Sequence, residues 1–278
     1  MIPDCILFSC GRAGSTSLYF YLDQIAKLDL PKNKEPHFWL GDLSRWKNVP
    51  KVLESIKVAE TAEYEALYTG SRKSIDASVA YYHNVDVVID RLGQANVRPK
   101  AVVLVREPVQ WAKSLHVENM YQGLENERDL EVCMSEDRSD PAIWWQLRYT
   151  SVRYAEVYEQ IRSAFSDVLL IDHSTFESQP DLVFDRLCRF LDVEPLSTAP
   201  TVRHHTRKGR LDRLQLGPYY RFWKRLPSGL RSQLLTFLQR RGQDFPIVND
   251  SAKIVPYLGE SIESYAKLHD LYQEDFIG

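Results

Sequence analysis

The sequence predicts an α/β protein, with a mostly parallel sheet and helices on its faces. Three observations carry this: apolar runs of strand length recur along the first two thirds of the chain, helical patterns follow most of them, and no internal repeat or low-complexity tract interrupts the alternation. The candidate strands are residues 4–9, 72–76, 100–106 and 167–172, each apolar enough to be buried on both faces. The helices expected after them are 14–27, 84–95, 108–121 and 180–191. Longer helices are expected over 43–64 and 143–165, and the acidic, aperiodic stretch 125–140 reads as a surface loop. Beyond residue 192 the texture turns to proline, threonine and basic residues, then to "LPSGLRSQLLTFLQRR" and "YLGESIESYAKLHDLYQ". One domain over residues 1–278 is therefore expected, with an α/β core (1–192) and a basic loop plus helical cap (193–278).

Composition narrows the function. With 278 residues, of which 44% are hydrophobic and 26% charged, the chain is long enough for a full core and ordinary for a globular protein. A net charge of −3 excludes binding of nucleic acid or anionic membrane through bulk charge, so an anionic ligand must be held locally. Cys5, Cys10, Cys133 and Cys188 show neither CxxC spacing nor a histidine arranged for zinc, and no metal is expected. No apolar run approaches membrane-span length, and no basic segment leads into a long apolar core at the N-terminus. The expectation is a reduced, cytoplasmic setting.

The first local site is "CILFSCGRAGSTSLYFYL", residues 5–22. A buried strand enters a turn holding Gly11, Arg12, Ala13 and Gly14, and a helix opens on Ser15, Thr16 and Ser17. Glycines let the backbone approach a ligand, the unpaired amides of a helix start point at it, and hydroxyls add donors. A hydroxyl that merely caps the helix is the plain alternative, but a cap needs neither three hydroxyls nor an arginine. A Walker A loop, GxxxxGKS or GxxxxGKT, is excluded because serine stands at the lysine position; the basic residue instead precedes the second glycine by two.

This arrangement resembles the 5′-phosphosulfate loop of the sulfotransferases that use 3′-phosphoadenosine 5′-phosphosulfate (PAPS), "GRAGSTSL" matching "PKxGTTSL" with arginine in place of lysine. "LVREPVQWAKSLHVENMY" is similar to the family's 3′-phosphate segment "LRxPxxRAxSxY", which carries the 3′-phosphate role onto Arg106 and Ser114, while Trp111 replaces an arginine. "RHHTRKGRL" resembles the family's nucleotide-closing KGR loop and implies Arg207, Lys208, Gly209 and Arg210 as phosphate contacts. "NKEPHFW" resembles the family's "KExxFF", which implies Glu35 as general base with Lys34 near the sulfuryl group and His37 as the second candidate base. In extended geometry Glu35 and His37 would share a face, with Lys34 opposite. "RKSIDASVAYYH" matches an acceptor-lining element, which implies Asp76, Tyr81 and His83 as acceptor contacts; His37 is expected to contact the acceptor as well.

The resemblance implies a three-layer α/β/α, P-loop NTPase-like fold. It also implies transfer of a sulfuryl group from PAPS, with PAP as product, to a hydroxyl or amine of a small-molecule, natural-product or carbohydrate acceptor. In the in-line reaction, Arg12 and the helix-start amides would balance charge on the departing nucleotide. A P-loop small-molecule kinase is the alternative from the residues alone, followed by a nucleotide-binding protein without chemistry.

Overall fold

The structure is a computed structural model that describes residues 3–25, 28–43, 46, 58–70, 72–122, 124–140, 142–150, 152–194 and 248–276. Five strands form a parallel sheet: β1 (Cys5–Ser9), β2 (Leu28–Asp29), β3 (Lys73–Asp76), β4 (Lys100–Val105) and β5 (Val168–Asp172), in the order β2-β3-β1-β4-β5. β1 lies between β3 and β4, with Cys5 opposite Ile75 on one side and Lys100 on the other. Residues 5 to 8 and 101 to 105 are all at most 2% exposed, which is why these strands read as unbroken apolar runs and not as alternating ones.

Helices cover both faces, giving the three-layer α/β/α architecture. After β1 comes α1 (Ser15–Asp23), whose Tyr21 packs edge-on against Phe176 of α7 (His173–Ser178) and Phe184 of α8 (Pro180–Phe190). A second group is formed by α3 (Val85–Gln94), α6 (Tyr154–Ala164) and α10 (Gly259–Leu271), with α6 touching both of the others. Phe8 of β1 meets Phe165, just past α6, with ring centroids 5.2 Å apart. The remaining described helices are α2 (Thr61–Glu65), α4 (Pro108–Gln122), α5 (Leu130–Ser135) and α9 (Ser251–Ile254). Among the described residues no helix is long and apolar enough to cross a membrane. All four cysteines are buried and unpaired.

Four expectations are corrected. The two-residue strand β2 is too short to leave a pattern in the sequence. The helix expected over 43–64 is not continuous: Glu60 is extended (φ −94°, ψ 141°), and the Val58 amide donates to Pro36 O, so only Thr61–Glu65 is helical among its described residues. In 143–165 the α-helix begins at Tyr154; before it, Trp144, Trp145, Tyr149 and Val152 are buried in a layer with only a short 3-10 turn, Trp145–Leu147, whose apolar residues imitate amphipathic spacing. The acidic stretch 125–140 contains α5, capped by Asp129 accepting from the Glu131 amide and seated on Leu130, Cys133 and Met134.

Candidate active site

Strand order reverses between β1 and β4: the chain leaves β1 toward β2 and leaves β4 toward β5. Ligands of open α/β sheets bind at such a switch point, beyond the carboxyl ends of the strands. The glycine turn and Arg106 occupy it.

The turn is left-handed at three residues, Gly11 (φ 80°), Arg12 (φ 52°) and Gly14 (φ 94°). Both glycines are sterically required. A Cβ at Gly11 would stand 2.8 Å from the Trp145 ring, and one at Gly14 would stand 2.9 Å from Phe176. Gly14 is the N-cap of α1 and no side chain caps the helix, so the opening amides are not consumed by Ser15 or Thr16 acting as caps. The carbonyls of the turn are tied back instead. Cys10 O accepts from Trp111 Nε1 (2.7 Å) and His83 Nε2 (2.9 Å), and Arg12 O accepts from Arg106 Nη1 (2.6 Å). Fixing the acceptors turns the net dipole of the loop toward its N–H side, where an anion is favoured. Burial pushes the His83 imidazole down to about 3; it is neutral, and its Nε2–H is the donor to the carbonyl. Its ring stacks on Trp145 at 4.1 Å.

Arg12 reaches sideways to α4. Its Nε donates to Ser114 Oγ (3.2 Å), and its Nη1 pairs with Glu118 at 3.0 Å. Arg106, Arg12 and Ser114 thus meet at one place. Pro108 opens α4, and Glu107 accepts from the Val109 and Gln110 amides. Tyr154 donates to Arg106 O at 2.6 Å and fixes the end of β4 from the side of α6.

On the other flank, Lys34 Nζ donates to Thr16 Oγ1 (3.0 Å) and pairs with Glu35 at 2.5 Å, linking the helix start to the expected base. The face-sharing expectation is corrected: Glu35 (φ 65°) and His37 (φ 55°) are left-handed, which breaks strand-like alternation and brings Lys34 and Glu35 together. His37 Nε2 lies 3.7 Å from Glu35 Oε2, too far for a hydrogen bond. The Glu35 side chain is 23% exposed and that of His37 2%. Burial, against the opposing charge of Glu35, pushes the His37 imidazole down to about 4.

The expected acceptor contacts separate. Asp76 and Tyr81 are fully buried and face the interior behind residues 37–39. Desolvation lifts the Asp76 carboxyl to about 6. His83 borders a cavity of about 890 Å³, shared with Trp46, Met134, Arg148 and Tyr149; Arg12, Lys34 and Glu35 are not among its described walls. Ala13 is buried beneath the turn, Ser15 is buried, and Thr16 and Ser17 are half-buried. Arg207, Lys208, Gly209 and Arg210 lie outside the described residues.

Three neighbours of the turn escaped the sequence reading. Glu118 carried a signal, being four residues after Ser114 on the same helix face. His173 stands first in the helix after β5, within 3.5 Å of where a Gly14 Cβ would be, and burial together with the charges of Arg106 and Arg12 lowers its pKa. Trp145 had no local signal.

No protein-family model matches the chain, and no curated protein matches it in sequence. Solved structures do. The chain is similar to a sulfotransferase from Alicyclobacillus acidocaldarius at 19% identity, with 91% of this chain and 99% of that one covered and a TM-score of 0.66. It also aligns with the sulfotransferase domain of the Synechococcus PCC 7002 olefin synthase (16% identity, 88% and 96% covered, TM-score 0.47). A third match is a mouse sulfotransferase, SULT7A1, complexed with PAP (11% identity, 98% and 86% covered, TM-score 0.42). The first of these sets the architecture, and by it the chain has the sulfotransferase fold.

Proposed function

We propose that this protein is an enzyme that moves a sulfuryl group from PAPS to a hydroxyl or amine of a small-molecule, natural-product or carbohydrate acceptor, releasing PAP. The observation that carries this is the convergence of two sets of groups on one glycine turn. Arg106, Arg12 and Ser114 gather on the α4 side, and Thr16, Lys34 and Glu35 on the other.

The first set suits the 3′-phosphate, with the guanidinium of Arg12 shared between that group and the turn. The amides opening α1, with the Thr16 hydroxyl and Lys34, suit the 5′-phosphosulfate. Glu35 takes the proton of the acceptor as the new bond from its oxygen or nitrogen to sulfur forms and the bond from sulfur to the bridging oxygen breaks, that oxygen leaving on the phosphate of PAP. Charge appearing on the departing phosphate is met by fixed amides and Lys34, so little reorganisation is needed during transfer. Exposure favours Glu35 over His37 as the base, since an acceptor reaches the former and not the latter. The loop 207–210 is assigned to the same phosphates by its resemblance alone.

Thermal shift with PAP, and separately with ATP and magnesium, tests the donor. Stabilisation by PAP only is expected; stabilisation by ATP with magnesium and not by PAP favours a kinase. Transfer from labelled PAPS across phenols, sugars, alkaloids and amines then identifies the acceptor. Glu35→Ala is expected to lower turnover by about 100-fold or more while PAP binding persists, and retained turnover in both Glu35→Ala and His37→Ala removes the catalytic assignment.

A further inference from the structure

Behind the Lys34–His37 segment lies a buried polar cluster that the reaction does not touch. Asp76 ends β3 and is 0% exposed. Three hydroxyls donate to its carboxylate: Ser78 Oγ at 2.8 Å, Tyr81 Oη at 2.9 Å and Tyr64 Oη at 2.9 Å. Each hydroxyl also accepts from the segment that follows Glu35, or from a side chain packed on it. Ser78 accepts from the His37 amide (3.1 Å), Tyr81 from the Trp39 amide (3.2 Å), and Tyr64 from the Trp39 indole (3.3 Å) and Tyr68 (3.2 Å).

A carboxylate only accepts, so it forces all three hydroxyls to donate inward and to offer their lone pairs outward. A hydroxyl rotor alone has no preferred sense; the aspartate gives the network one direction. Its outer ends are the two amides that pin the chain immediately after Glu35 and Pro36. That chain needs pinning, because Glu35 and His37 are non-glycine residues in the left-handed region, a conformation that persists only when its surroundings impose it.

We infer that Asp76 is a positioning residue: through the Ser78 and Tyr81 hydroxyls it holds Glu35 and His37 in the left-handed course that sets Glu35 against Lys34, which in turn donates to Thr16. This rests on the sulfuryl-transfer reading and assigns Asp76 and Tyr81 a role other than acceptor contact. The donor turn shares no hydrogen bond with this network among the described residues, so the effect of breaking it falls on transfer and not on nucleotide binding.

The test is Asp76→Asn, assayed by PAPS turnover with an acceptor from the panel, by PAP binding, and by the ¹H–¹⁵N signals of the His37 and Trp39 amides and the Trp39 indole. An amide places a donor against hydroxyls that already donate, so at least one relay must reverse. The expected result is a fall in kcat on the order of tenfold or more, with PAP affinity and KM for PAPS within about twofold and the three N–H signals displaced. If Asp76→Asn does not fold, Ser78→Ala and Tyr81→Phe each remove one relay and are expected to lower kcat severalfold with the same unchanged PAPS KM. An unchanged kcat in the variants that fold, beside an active wild type, overturns the inference alone. A rise in PAPS KM equal to the loss in kcat/KM overturns it as well. A wild type that turns over no PAPS overturns the underlying reading and the inference with it.

Discussion

Three strands of the sheet end in a buried aspartate, and two of these, Asp76 and Asp172, are held in opposite ways. Asp172, at the end of β5, caps α7 by accepting from the Ser174 amide (2.7 Å) and hydroxyl (2.5 Å), and it also accepts from Tyr265 of α10, with His269 Nε2 3.7 Å away. Those contacts outweigh its desolvation and draw its carboxyl down to about 2. Asp76, at the end of β3, has only neutral hydroxyls around it and feels the negative charge of Glu35, and desolvation wins, lifting it to about 6. His269 leads the groups that lower Asp172, ahead of the Ser174 and Tyr265 hydroxyls and the Ser174 amide, whereas the groups that lower Asp76 are hydroxyls alone. The β5 end thus fastens the C-terminal helix to the core, whereas the β3 end spends stability to orient the segment that bears Glu35.

Removing each aspartate breaks the comparison most directly. Asp172→Ala leaves Tyr265 and the α7 start without their acceptor and is expected to cost about 4 kcal/mol, read by denaturant unfolding. The pH dependence then separates the pair. Between about pH 4, where the unfolded chain releases the proton, and about pH 6, the folded protein retains it on Asp76; the folded state binds more protons there, so stability falls as pH rises. The fall is about 3 kcal/mol, and Asp76→Asn is expected to abolish it. For Asp172 the sign is reversed: its contribution is complete above about pH 4 and is lost as pH drops toward 2, amounting to about 2 kcal/mol that Asp172→Asn should flatten. The smallest effect sharpens the contrast in role. Tyr265→Phe and Tyr81→Phe each delete one hydroxyl bonded to an aspartate and are each expected to cost about 1 kcal/mol, yet only Tyr81→Phe should change turnover.

Local chemistry was legible in the chain and tertiary chemistry was not. β1, β4 and β5 announced themselves because burial on both faces makes an unbroken apolar run, and the glycine turn because its Gly, Arg and hydroxyl residues act within one short stretch. The meeting of Arg106 with Arg12 was foreseeable from two strand ends that each open a helix. Glu118 needed only helical spacing. Trp145 and Asp76 gave no such hint. Trp145 lies in a layer whose tryptophans imitate a helix, and Asp76 looked like a polar strand end open to ligand when it is an interior anchor whose partners come from residues 64 and 78–81.

The left-handed backbone at Arg12, Glu35 and His37 has a practical consequence for anyone altering this protein. Glycine or asparagine relieves that strain at Arg12 and Glu35, whose side chains are partly exposed, so such changes leave the fold near its original stability, within about 1 kcal/mol, whereas at buried His37 the cavity left behind costs more. A library sorted only for expression or melting temperature will therefore accept substitutions at 12 and 35 as harmless, and will accumulate well-folded variants that lack the groups proposed to meet donor and acceptor.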